Sequence, residues 1–355
     1  MACVVGASGN DMFFGSSSTL FVLDIVRGRV AWQVPVPQLL DLKADRDHIY
    51  VAAGWNHLVV RAFAWKGPDP LWSRTLERAA PSRSFHQQTL AVGESAIVVY
   101  DGQEALCLTP ATGAPNWHTP ISGALLGISN DVLFLTPSTD GRTVTRIGLR
   151  SGAVVAPARL TTDENTAYSA EMRQLPAEKL YVFSEIRISP GSERKSLRVT
   201  DGGFKEIWTV DQEFTHGPYG GPGNLQVSGG LVMYTDYDPI SSWRGRAVVA
   251  ADVRTGDVRW RRLTPDSASV WNAGMWEGVD VLLRHPRYGG RVVLDGLSLK
   301  NGRPRWSVPL PGVRVPPYFE WEAVVQVLPC GSRLLVAQPA IGNGPARILA
   351  YERKR

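Results

Sequence analysis

The chain has 355 residues, of which 44% are apolar and 20% charged, with 35 glycines, 25 prolines and twelve tryptophans. This composition excludes a disordered chain and leaves room for two ordinary domains or one large all-β domain. A formal charge of +5 is moderately basic and falls short of a nucleic-acid signature, and no apolar run approaches the roughly 18 residues that a membrane helix needs.

In chain order, the first stretch, ACVVGASGNDMFFGSSS, aligns with the innermost strand of a first repeating unit. It lacks the basic and apolar regions of a signal peptide, so the expected compartment is the cytoplasm, or outside it if the sequence is part of a longer exported protein. Next comes LFVLDIVRGRVAW, an alternating run that turns at a glycine and ends on Trp32. The phrase returns as HLVVRAFAWKGPDPLW to Trp72, ALCLTPATGAPNW to Trp117, SLRVTDGGFKEIW to Trp208, AVVAADVRTGDVRW to Trp260 and VVLDGLSLKNGRPRW to Trp306. Between the third and fourth lies TVTRIGLRSGAVVA, with Ala156 at the tryptophan position.

Successive tryptophan positions are separated by 39 to 52 residues, the period of propeller blades. Helical solenoids share that period, but here each unit shows period-two alternation broken by Gly, Pro, Asp and Asn, which argues for strands. Upstream of each phrase lies another strand pair, as in QVSGGLVMYTD, so each unit holds four strands. One such sheet cannot bury both faces, and stacking the units covers each face with a neighbour. The expectation is an all-β chain, residues 1–355 as a single β-propeller domain of four-stranded antiparallel blades, eight in number with seven as the alternative. The final unit, ending RILAYERKR, stops where its tryptophan strand would begin.

The phrase itself reads as structural. Glycine tolerates the positive φ of a tight turn, and the tryptophan can lay its ring across the gap between sheets with its N–H free to meet a carbonyl. Trp32, Trp72, Trp117, Trp208, Trp260 and Trp306 are therefore the expected staples, and the sheet with Ala156 is expected to be the least tightly held.

Other residues carry weaker signals of a site. The six histidines show no metal-binding spacing, and Cys3, Cys107 and Cys330 lie too far apart in sequence for a disulfide framework or a CxxC site, reading instead as small buried hydrophobes. Asp236 and Asp238 read as a solvated turn before Pro239. The loop DQEFTHGPYGGPGNLQ is the most distinctive, and His216 and Tyr219 within it are the candidate rim contacts. The arginine-rich stretch WRGRAVVAADVRTGDVRWRRLTP alternates with apolar residues and reads as solvent-flanked strands; no nucleic-acid partner is expected.

The phrases AADVRTGDVRW, VLDIVRGRVAW and CLTPATGAPNW resemble the ALDxxTGxxxW repeat of quinoprotein-like propellers, the superfamily of pyrroloquinoline quinone (PQQ) dehydrogenases and of outer-membrane assembly lipoproteins of the BamB type. Asp24 and Asp252 hold the repeat's aspartate, which Thr109, Ser298 and Gly148 replace elsewhere. The resemblance implies either a non-catalytic scaffold for a protein or peptide partner, the nearer match in length, or a propeller enzyme binding PQQ with calcium, or a sugar, at the central channel. No position matches the dehydrogenases' calcium ligands, catalytic base or vicinal cysteine pair. The expectation is a monomeric protein-binding scaffold without a catalytic site, cofactor or metal.

Overall fold

The computed structural model describes residues 2–7, 17–24, 27, 29–54, 57–76, 89–121, 124–129, 132–136, 143–159, 166–175, 179–189, 192–214, 226–238, 241–263, 267–286, 291–314, 326–330, 332–338 and 347–352. Among the described residues, alternating apolar runs punctuated by glycine turns form 30 strands, which assemble in chain order into eight antiparallel sheets, the blades of a β-propeller. By contact density the chain divides into two compact units, Met1–Asp163 and Glu164–Arg355.

In the first unit, β1 (Ala2–Ala7), β2 (Ser17–Asp24) and β3 (Arg29–Pro37) make a three-stranded first sheet. The second sheet holds β4 (Leu39–Ala44), β5 (His48–Ala53), β6 (Leu58–Ala64) and β7 (Pro70–Leu76). The third holds β8 (Leu90–Val92), β9 (Ile97–Tyr100), β10 (Glu104–Leu108) and β11 (Pro115–Pro120). The fourth holds β12 (Ala124–Ser129), β13 (Val132–Thr136), β14 (Thr143–Gly148) and β15 (Val154–Arg159).

The second unit repeats the plan. Its fifth sheet is β16 (Thr166–Leu175), β17 (Leu180–Ser189), β18 (Ser192–Asp201) and β19 (Glu206–Phe214). The sixth is β20 (Gln226–Ser228), β21 (Leu231–Asp238), β22 (Ser241–Asp252) and β23 (Val258–Leu263). The seventh is β24 (Ser267–Trp276), β25 (Val279–Pro286), β26 (Arg291–Ser298) and β27 (Pro304–Arg314), and the eighth is β28 (Gln326–Cys330), β29 (Arg333–Gln338) and β30 (Arg347–Glu352).

Two expectations are corrected. The N-terminal strand β1 pairs with β2 in the register that β5 keeps with β6, so it is the second strand of its blade and not the innermost. Asp236 and Asp238 lie within β21, paired through the backbone with Ala247 and Ser241 across two register shifts, and not in a turn, because β22 begins early enough to pair with them. The eighth sheet shows three described strands, and residues 353–355 lie outside the described set.

The middle strands carry the core. Ile49, Val51 and Ala53 of β5 pack with Leu20, Val22 and Trp32, while Tyr50, Ala52, Val60 and Ala62 face Leu90, Ile97 and Val99 of the next sheet. Adjacent residues of one strand thus belong to two cores, one on each face, as the pleat dictates. First strands of consecutive sheets also pack together, β4 with β8 and β8 with β12. Asp41 ties the first of these pairs: at a bulge in β4 its carboxylate accepts the Thr89 and Leu90 amides, each at 2.9 Å.

Candidate functional site

The strand that bears the tryptophan position, the Trp strand, is terminal in each of the first seven sheets, and its chemistry recurs with one geometry. Trp72, Trp117, Trp208 and Trp260 each donate Nε1–H to a backbone carbonyl of the following sheet, those of Pro110, Leu149, Val253 and Leu299, at 2.5 to 2.9 Å. Each acceptor stands three residues before a glycine of the turn: Gly113, Gly152, Gly256 or Gly302. All four glycines hold φ between +65° and +77°, and the same tryptophan covers each: a Cβ added there would approach the indole to 3.0 Å or less. Glycine is thus required twice, for the left-handed backbone and for the ring above it.

Within the turn, Gly113, Gly152, Gly256 and Gly302 donate to the carbonyl four residues earlier, at 2.8 to 2.9 Å. Asp252 caps one such turn, accepting the Arg254 and Thr255 amides on Oδ1 and the Arg259 guanidinium on Oδ2 at 2.7 Å. The Arg259 bond, reinforced by the amides, holds its carboxyl below the usual range. Asp201 plays the same part toward the amides of Gly203 and Lys205.

Sequence reasoning missed a second contact. Two residues after the tryptophan, on the same face of the strand, Arg74, Thr119 and Arg262 donate to the carbonyls of Gly113, Gly152 and Gly302 at 3.4, 2.9 and 3.3 Å. The tryptophan and its i+2 neighbour therefore grip both ends of one turn. Polar residues at those positions were the available signal, but nothing in one strand's sequence says which turn it meets. Arg262 also reaches toward Asp295, fully buried and bonded to Arg284 at 2.5 Å, so this carboxylate is desolvated but compensated.

Four positions depart from the pattern. Trp32 donates to the Trp65 carbonyl at 3.0 Å, but the turn there carries Gly67, whose φ is not positive and beside which nothing lies within 4 Å. In the fifth sheet the left-handed turn residue is Phe204, φ 68°, 4% exposed and stacked on Tyr181 with centroids 4.8 Å apart. Ala156 lies on β15. Trp306 packs edge-on against Trp276 of its own sheet, centroids 5.8 Å apart, and covers Gly296.

Along the described part of these strands, residues alternating with the committed ones face solvent at several positions. The exposed large aliphatic side chains among the described residues, Val30, Leu71, Val154, Val155, Ile207, Val258 and Leu263, all lie on Trp strands. A groove of about 440 Å³ opens between β7 and the third sheet, lined by Arg74, Leu76, Asp101, Glu104, Leu106 and His118 among others.

His216 and Tyr219 lie outside the described residues, as do His86 and its surroundings. Of the other histidines, His118 and His57 are exposed, and His48 lies 3.6 Å from Asp45. Cys107 is buried, and burial pushes its thiol up. Among the described residues no three His, Cys, Asp or Glu side chains gather as they would to hold a metal ion.

Among solved structures, BamB from Moraxella catarrhalis superposes with a TM-score of 0.56 over 95% of this chain and 97% of its own, at 11% identity. The computationally designed Ika8 protein gives 0.61 over 94% and 92%, at 12% identity. Both likenesses show a shared fold. No curated protein matches the sequence. Residues 2–202, more than half of the sequence, match the family described as outer membrane protein assembly factor BamB, and the chain belongs to that family of PQQ-repeat propellers.

Proposed function

We propose that the protein is a non-catalytic scaffold that binds a polypeptide partner along its Trp strands. The observation that carries this reading is the placement of its exposed aliphatic side chains. A globular surface scatters such residues singly, whereas here Val30, Leu71, Val154, Val155, Ile207, Val258 and Leu263 recur on one kind of strand. Apolar side chains at a sheet margin, rimmed by polar ones, suit a protein partner. The family's description as an assembly factor supports the same class of partner.

The test is photo-crosslinking from Leu71, Val154, Ile207 and Leu263, one at a time, in cells of the source organism. The expected result is a discrete crosslinked protein from at least one of these positions and none from exposed turn residues such as Lys66. Saturable binding of PQQ with calcium in calorimetry, together with no crosslink from any Trp strand, would replace the scaffold by a cofactor-dependent propeller.

A further inference from the structure

A terminal strand presents unpaired backbone N–H and C=O groups, and proteins blunt such edges with proline, bulges or charge. In this chain proline does so on five of the seven Trp strands: Pro35 and Pro37 on β3, Pro70 on β7, Pro115 and Pro120 on β11, Pro157 on β15, and Pro304, Pro309 and Pro311 on β27. Strands β19 and β23 have none. On β19, Glu206 lies 3.5 Å from Arg198 of its own sheet. On β23 the sequence VRWRRL puts Trp260 and Arg262 on the face committed to the seventh sheet and leaves Arg259, Arg261 and Leu263 exposed.

The two protections differ in kind. Proline lacks the N–H and interrupts the ladder of an added strand where it stands; arginine disfavours only strands that are basic or carry nothing to offset its charge. Basic residues also concentrate around this edge: residues 252–263 and 299–306 contain seven, Arg254, Arg259, Arg261, Arg262, Lys300, Arg303 and Arg305, against the two acids Asp252 and Asp257. These two stretches thus carry a local surplus of five positive charges. The turn carrying Lys300 and Arg303 is the one that Trp260 covers, so the second group adjoins β23. Apolar footing is present too, with Val258 57% and Leu263 65% exposed.

We infer that the β23 edge is a docking site for an extended acidic segment of a partner protein, one that alternates Glu or Asp with aliphatic residues and adds to the sixth sheet as a further strand. Main-chain bonds would supply general affinity, the local surplus of positive charge around Arg261 the selection for acid, and Val258 and Leu263 the apolar contact, while Arg259 is held by Asp252. This assignment rests on the scaffold reading and narrows it to one strand and one partner chemistry.

The experiment uses the full chain and two labelled peptides of about ten residues, a length suited to one added strand. One alternates Glu with Val and Thr; the other is identical with Lys in place of Glu. Fluorescence anisotropy should show saturable binding of the acidic peptide only, weakening as salt is raised. Arg261→Glu should reduce that binding by about tenfold or more and confer binding of the lysine peptide, whereas Arg261→Lys should retain the original preference. The gain by Arg261→Glu is a readout that a misfolded variant cannot produce, and unchanged thermal midpoints would confirm folding. Equal binding of both peptides, binding of neither, or indifference to Arg261→Glu would overturn the assignment. So would sedimentation showing that wild type self-associates through this edge and Arg261→Glu does not, which would give the edge to a second copy. If the peptides fail while crosslinks from Leu71 or Val154 persist, the scaffold reading stands and only the β23 assignment falls.

Discussion

The indole of Trp72 lies directly on Gly113 of the following sheet, close enough that a methyl group on that glycine would stand 2.6 Å from the ring. Gly113 also holds φ at +66°, where a side chain is strained whatever the space. Gly113→Ala should therefore lower stability by about 2–4 kcal/mol, from left-handed strain and from displacement of the indole together. Gly67→Ala, in the turn that Trp32 meets, has open space and an ordinary φ, and should change stability by less than about 0.5 kcal/mol. Urea midpoints of the two variants decide it, and equal losses would refute the account.

The Trp72 ring and its N–H make separable contributions. Trp72→Phe keeps much of the apolar cover but leaves the Pro110 carbonyl without its 2.8 Å donor, a loss of about 1–2 kcal/mol beyond the small change in packing. Trp72→Ala removes both and should cost about 3–5 kcal/mol. Calorimetric melting of the two variants should keep this order; a phenylalanine variant as unstable as the alanine one would mean that the hydrogen bond dominates.

Phe204 breaks the glycine rule and has compensation for it. Its left-handed backbone costs about 1–2 kcal/mol relative to glycine, yet its buried ring stacks on Tyr181 and tilts against Phe183. Deleting a buried phenylalanine side chain costs more, about 3–5 kcal/mol, so Phe204→Gly should be net destabilising by about 2 kcal/mol despite relieving the strain. A denaturation midpoint unchanged or raised in that variant would show that the stack is worth less than the backbone strain.

The sheets were readable in the sequence because the Gly-to-Trp phrase is local: the alternation of LFVLD, the turn glycine and the ring that ends the next strand all lie within about fifteen residues. What the phrase does is not local. Trp260 meets Leu299 and Gly302 in the next repeat, and the arginine two residues on meets the same turn, a relation set by stacking that no single repeat encodes. The misplacement of β1 has a similar origin, since ACVVGA alternates no differently from any first or second strand and only its register with Thr19 to Asp24 settles its place. The basic stretch around β23 was visible as charge, but its meaning depends on the prolines of five other strands, which becomes apparent only when the Trp strands are compared side by side.

Tyr50 supplies a pH dependence. It is fully buried and donates to Asp45 at 2.7 Å; burial first, then this bond and the charges of Asp45 and Asp47, push its phenol well above the ordinary value near 10. A raised value in the folded state means that the stabilisation is complete below about pH 10 and is lost as pH rises beyond it, because the unfolded chain ionises first. Tyr50→Phe should be less stable at neutral pH by about 1–2 kcal/mol, with the gap to wild type narrowing above about pH 10. Urea midpoints of both proteins from pH 7 to 11 test this, and a gap that stays constant across the range would exclude Tyr50 as the source.

Hydrogen exchange can compare two Trp strands in the first unit. On β11, Trp117 anchors the strand through the Leu149 carbonyl, and Thr119 adds the bond to Gly152. On β15 the tryptophan position is Ala156, which has no indole to donate, and Val154 and Val155 are 55% and 40% exposed. Both strands are terminal in their sheets, so the difference between them isolates the tryptophan lock from edge position. Local opening reflects the interactions broken in that segment alone, so the amides of β15 should exchange at least about tenfold faster than those of β11. Replacing Trp117 by Ala should bring β11 to the rate of β15; if β15 proves the better protected in the wild-type protein, the lock is not what holds these strands.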